Sequence, residues 1–184
     1  MSAGHGHVDH HNGNKGIALL IAVLALVLAL AETLGKGAQT AALAANIEAS
    51  NLWAFFQAKT IRQTTLRTAA EQTESSSNVS ENQKKQIAKW RETAQRYQSE
   101  PETGEGREQL AARAKEAEKK RDKSMAAYHH YELASAAMQI AIVLASASII
   151  AEIAALVWIA AGLGALGVAF CVIGFWFPTA VHLF

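Results

Sequence analysis

Two uninterrupted apolar runs flank a charged, helix-patterned middle. Residues 17–34 carry a single charge, Glu32, and residues 133–177 carry a single charge, Glu152. The first run is long enough for one membrane span, and the second for two spans joined by a tight turn. A carboxylate at the centre of a span costs about 2.5–3.5 kcal/mol on insertion scales and much less at the interface. Glu152 is therefore expected at the hairpin tip. The pattern predicts spans over residues 17–35, 133–152 and 155–177. Tyr131, Trp158 and Trp176 would then lie at headgroup depth, where amphipathic rings are favoured.

The region between the first two spans, residues 36–132, also reads as helix. A helical pattern covers 38–74, with Gly35 and Gly37 as an expected kink between it and the first span. Residues 75–82, SSSNVSEN, break it. Ile87, Trp90, Ala94 and Tyr97 recur at 3-4-3 spacing and predict a second, shorter helix. Pro101, Gly104 and Gly106 mark a loop over 99–108. A third helix begins near Arg107, meets no breaker before Gly162, and is expected to enter the membrane unbroken as the second span. No strand pattern appears. The expected fold class is all-α: three transmembrane helices, with an extramembrane stalk, a coiled-coil-like helical bundle, between the first and second. Residues 1–16 read as a flexible His-rich tail, and residues 178–184 as a short C-terminal tail.

Each span has a row of small residues at heptad spacing. The first has Ala18, Ala22, Ala25, Ala29 and Glu32. The second has Ala134, Ala137, Ala141, Ala145, Ser148 and Glu152, and the third Ala160, Gly164, Gly167, Cys171 and Gly174. Lipid tails are as apolar as Leu, so spans associate by close backbone approach, which such rows permit. All three are expected at helix interfaces. The second span has a further, polar stripe: Tyr128, Tyr131, Glu132, Ser135, Gln139 and Ser146. An amide in hydrocarbon without a partner costs several kcal/mol. The stripe should face protein, as an interhelical hydrogen-bond seam, or water, as the wall of a path in an oligomer. The seam is the more ordinary membrane glue.

The stretch NLWAFFQAKTIRQ, residues 51–63, is apolar on two sides of one helix. Leu43, Ile47 and Ile61 fall on one side, and Leu52, Phe55, Phe56 and Leu66 on the other, with Trp53 between. Such a helix is expected to meet two neighbours. One would be the returning 108–132 helix, the other the same segment of a second subunit. The first-span row continues as Gln39, Leu43, Asn46, Ser50, Trp53, Gln57 and Thr64, polar positions that would fix a seam's register. Glu48, Lys59 and Arg62 share an arc with Asn51, Phe55 and Leu66, expected as a second contact with charged heads at its rim. Trp53, Phe56, Gln57, Lys59 and Arg62 are thus the stalk's candidate interface residues. Tyr128, Tyr131, Glu132, Ser135, Gln139, Ser146, Gly164, Gly167 and Gly174 are those of the spans.

Charge and composition narrow the function. A net charge of +1 gives no field for nucleic acid. The single Cys171 permits no intrachain disulfide. His5, His7, His10 and His11 could take zinc, copper or nickel, but their spacing matches no closed site, and a tail without specific coordination is the plainer reading. His129 and His130 are adjacent and so point in different directions. No cofactor is expected. Residues 36–132 hold 16 of the 17 Lys and Arg residues; near the spans this segment carries Lys36, Arg113, Lys115, Lys119, Lys120, Arg121 and Lys123 and the opposite side only Lys15, which by the positive-inside rule favours a cytoplasmic stalk. Ala29-Leu30-Ala31 fits a signal-peptidase pattern after an apolar run. A full-length span and a single basic residue before it, Lys15, favour retention as an anchor.

The run EASNLWAFFQAKTIRQ, the Ala-rich span before it, the later YHHYELA and the Gln-containing second span resemble a bacterial membrane family catalogued as a domain of unknown function, DUF4337. The resemblance covers nearly all residues from Ile17 onward and is most specific at Trp53, Gln57, Ala58, Lys59 and Arg62. It implies an inner-membrane protein with three spans and supplies no catalytic residues. Relatives often have basic residues in the hairpin turn, where this chain has Ala151-Glu152-Ile153.

No phosphate loop, HExxH, GxSxG or nucleophile–base arrangement is present, so an enzyme is not expected. The expected function is a self-associating scaffold of the bacterial inner membrane. Its expected partners are the bilayer, further copies of the chain and an unidentified protein on the stalk. The alternative is an oligomeric channel or transport accessory, with Ser135, Gln139 and Ser146 lining an aqueous path. A metal-responsive protein using the four tail histidines is a third.

Overall fold

The computed structural model describes the backbone of residues 10–180 and the side chains of residues 15–180. Four helices follow one another: α1, His10–Glu74; α2, Glu81–Gln98; α3, Arg107–Ala151; and α4, Ala154–Trp176. Among the described residues there is no strand. Three helices, α1, α3 and α4, are long and apolar enough to cross a membrane. One expectation changes: residues 10–16 are helical and belong to α1. α1 runs as helix through Gly35 and Gly37. A glycine inside a helix costs about 1 kcal/mol, which long flanking turns and side packing absorb.

α3 runs from the loop at residues 99–106 into the apolar run without a break. At the hairpin, Glu152 takes φ 56°, the left-handed conformation that ends a helix and reverses the chain. The chain divides into two compact units: Met1–Ala42 with Asp122–Phe184, and Leu43–Arg121.

The first unit packs bulk against hollow. Its core is Leu24, Met138, Ala141, Ala145 and Ala160, surrounded by Ile17, Leu20, Ile21, Val27, Leu28, Ile142, Leu144 and Leu163. Ala134, Ala137, Ala141, Ala145 and Ser148 on α3 are buried, as are Ala160, Gly164, Gly167 and Gly174 on α4. The first-span row behaves oppositely: Ala18, Ala22, Ala25, Ala29 and Glu32 are all exposed. α1 instead turns Leu24, Ala31 and Gly35 inward. The reason is volume. α3 and α4 already present small faces, and a third would leave voids, whereas Leu24 fills the space over Gly164.

The second unit packs α1 against α2 and the start of α3. Ala49 and Leu52 of α1 meet Leu110, Ala114 and Ala117 of α3, with Trp53 and Phe56 half-buried alongside. α2 opens with a capping box. The Ser80 hydroxyl accepts from the Gln83 N–H at 3.3 Å, and the Gln83 side-chain oxygen accepts from the Ser80 N–H at 2.8 Å. Its inward face carries Ile87 and Ala94. Gly106 begins α3 where a Cβ would collide with the backbone of Ser99 and Glu100.

Candidate functional site

Chemistry-bearing side chains gather in one place in each unit. In the Leu43–Arg121 unit they form a polar knot under an aromatic lid. Lys59 is buried, 6 % exposed, although it carries a charge. Its Nζ lies 5.3 Å from the Phe55 ring centre, 5.1 Å from that of Tyr97 and 3.4 Å from Glu105 Oε2. Ring faces and one carboxylate replace the lost water. One turn on, buried Gln63 donates to the Ala94 carbonyl at 2.9 Å and to Gln98 Oε1 at 3.2 Å. Arg107 donates to Gln63 Oε1 and to Gln98 Oε1, and its guanidinium sits 4.9 Å over Phe56. The Trp53 indole N–H donates to Glu118 Oε1 at 2.9 Å. These groups pair with one another, except Arg107 Nε, which is buried without a hydrogen-bond partner among the described residues. They tie three helices together.

Ion pairing also shapes the α2–α3 loop. The Arg96 guanidinium, hydrogen-bonded to Glu100 at 2.8 Å, holds that carboxyl below its ordinary range. The Gln98 amide does the same for Glu108. In return Glu100 raises Arg96.

In the other unit a groove of about 430 Å³ lies between α1 and α3. Its lining includes Glu32, Lys36 and Gln39 from α1, and Tyr128, Glu132, Ser135 and Gln139 from α3. Gly35 sets the spacing: a Cβ there would stand 3.4 Å from Tyr131 Cβ. Glu132 meets His129 Nδ1 at 3.6 Å. Gln139 is exposed, although it lies inside the apolar run. On the opposite side of α3, His130 is 1 % exposed and stacks on Phe170 at 6.3 Å. Both its ring nitrogens lack a hydrogen-bond partner among the described residues.

The candidate residues are thus distributed as follows. Trp53, Phe56 and Lys59 lie at contacts within the chain, whereas Gln57 and Arg62 are exposed. Of the α1 seam expected over Gln39–Thr64 positions, only Trp53 is partly covered; Gln39, Leu43, Asn46, Ser50, Gln57 and Thr64 are open. Tyr128, Tyr131, Glu132, Ser135 and Gln139 share the groove, Tyr131 being the buried one among them. Ser146 donates to the Ile142 carbonyl of its own helix at 2.8 Å and does not bridge helices. Gly164, Gly167 and Gly174 are buried. His5 and His7, and the side chains of His10 and His11, lie outside the described residues. Among the described residues no group of three or more His, Cys, Asp and Glu could hold a metal ion. Sequence reasoning missed Gln63, Glu118 and Arg107. Gln63 and Arg107 pair with each other 44 residues apart, and Gln63 reaches Ala94 31 residues away, so only Gln63, on the inward arc of α1, could have been flagged.

Among the described residues the chain is all-helical, with three helices able to cross a membrane, and that defines its class. Within it, the chain belongs to the family described as a domain of unknown function, DUF4337, whose model matches residues 13–177. No curated protein and no solved structure matches the chain.

Proposed function

We propose that this protein is a non-enzymatic scaffold of the bacterial inner membrane that self-associates through α1. One observation carries the reading. Leu43, Ile47, Ser50, Ala54, Gln57 and Ile61 recur at 4-3 spacing, contain no charge, and are all exposed. Leu43 is 61 %, Ile47 53 % and Ile61 66 % exposed. This is the second side of the doubly apolar helix; on the first, Leu52 and Phe56 pack against the chain's own α3. Burying a Leu or Ile side chain fully is worth about 1.5–3 kcal/mol, so a matching row from a second copy has a substantial driving force. Ser50 and Gln57 would cost some of it and fix the register. The basic residues of the 36–132 region support a cytoplasmic location for this row.

The test is cysteine cross-linking in a Cys171→Ala background. Single cysteines at Ser50, Ala54 and Gln57 should form symmetric disulfide dimers in native membranes, and one at Arg113 should not. Leu43→Glu with Ile61→Glu should leave a monomer by native mass spectrometry. A monomeric parent protein at all concentrations would overturn the proposal. The exposure of Gln139 supports the channel alternative. Conductance in planar bilayers, with water-soluble thiol reagents reaching cysteines at both Ser135 and Gln139, would replace the scaffold by a pore.

A further inference from the structure

We infer that the groove between α1 and α3 binds the headgroup and ester region of a phospholipid bearing a primary amine. The groove lies where the apolar runs end: Glu32 is two residues from the end of the first, and Glu132 immediately precedes the second. Charges of both signs meet there. Glu32, Lys36 and Glu132 line one wall or the other, with the Tyr128 ring beside them. Among the described residues, neither Glu32 nor Lys36 is engaged in an ion pair, and Glu132 reaches only the partly exposed His129. Two carboxylates and an aromatic ring suit an ammonium group. A lysine suits the phosphate that accompanies it.

Depth supplies the second argument. Ser135 and Gln139 lie one and two turns inward of Glu132 on the same lining, about 5 and 10 Å along the axis. Among the described residues, neither the Ser135 hydroxyl nor the Gln139 amide forms a hydrogen bond to another helix. A phospholipid has ester carbonyl oxygens there, just beneath its phosphate, and they remove the cost of an exposed amide in an apolar layer. A soluble amine or phosphate would satisfy the charged rim and leave Gln139 unpartnered. A diacyl lipid satisfies both.

The experiment is native mass spectrometry of the full chain released from detergent with equal amounts of phosphatidylethanolamine, phosphatidylcholine and phosphatidylglycerol. The ethanolamine lipid should be retained several-fold over the choline lipid, whose nitrogen has no N–H, and over the glycerol lipid, which has no amine. Glu32→Gln with Glu132→Gln should abolish that preference. Lys36→Met should weaken all three lipids, since each carries the phosphate, and leave the preference for ethanolamine in place. Gln139→Leu leaves the charges in place and should weaken all three, with helicity checked by circular dichroism. Phosphoethanolamine in solution, lacking ester groups, should not displace the lipid at millimolar concentration; displacement would assign the site to the free headgroup. Equal retention of the three lipids, or a preference untouched by the carboxylate changes, would overturn the inference. So would a lipid-independent disulfide dimer through a cysteine at Gln139, which would give the groove to a second copy. Subunit number is read from the same spectra, so lipid selectivity can fail while self-association stands, and the reverse.

Discussion

Leu24 of α1 occupies the hollow over Gly164 of α4: a Cβ on that glycine would come within 2.5 Å of Leu24 Cδ2. The same α4 face carries Gly167, where a Cβ would meet Met138 Cε at 2.8 Å and the Ala134 carbonyl oxygen at 3.2 Å. The two positions differ in what must yield. At Gly164 it is the end of a side chain, whereas at Gly167 it includes backbone. Gly167→Ala should therefore destabilise the apolar bundle by about 1–3 kcal/mol, the usual cost of overpacking, and Gly164→Ala by less. Adding Leu24→Ala should recover stability in the Gly164 variant but not in the Gly167 variant. Thermal unfolding in detergent, read as a double-mutant cycle, checks both.

Lys59 is held by two rings and a carboxylate that is itself half exposed, so its Glu105 pair contributes little and the rings most. Lys59→Met, which keeps the stem, should cost about 0.5–2 kcal/mol, the range of cation–π contacts. Glu105→Gln should cost under about 1 kcal/mol. Chemical denaturation followed by tryptophan fluorescence separates them, since Trp53 and Trp90 both belong to this unit. Equal losses would mean that the ion pair, not the rings, holds the lysine.

The Ser80 capping box predicts a local effect. Ser80→Ala should weaken α2 by about 1 kcal/mol. Hydrogen exchange should rise about fivefold in the first turn of α2 and stay unchanged in α4.

Acid should loosen the α2–α3 loop first. The Glu100 and Glu108 carboxyls are held below their ordinary range by Arg96 and Gln98. Their contribution is therefore complete above the unfolded carboxylate value, about 4.3, and is lost as pH falls through the lower folded values. Exchange at residues 99–106 should be flat from pH 7 to 5 after correction for intrinsic rates and should rise below 4. Arg96→Gln should move that rise to higher pH. A rise centred near neutrality would point to a different group.

Much of the architecture was legible because its causes are local. Hydropathy and length give three helices able to span a membrane, Glu152 marks the turn, the break over 75–82 and the glycines near 104–106 bracket α2, and the absence of a breaker carries α3 from Arg107 into the apolar run. The same periodicity made residues 51–63 apolar on two sides. It did not say which side the chain itself would cover. The small-residue row of the first span shows why. Ala18, Ala22, Ala25 and Ala29 have the spacing of an interface, yet they face outward. A single helix pattern records which residues could approach a neighbour, not what volume the neighbour brings.

What the sequence alone determined was the helix count, the helix ends other than the start of α1, and the sorting of apolar from charged segments, since each depends on residues near one another in the chain. Tertiary structure decided which faces were used. Gln63 found Arg107, Trp53 found Glu118, and Leu24 rather than the alanines filled the space over Gly164. Those pairings depend on the volumes and donors of helices far away in the chain, because close packing and the cost of unpaired buried polar groups are settled between neighbours in space and not in sequence.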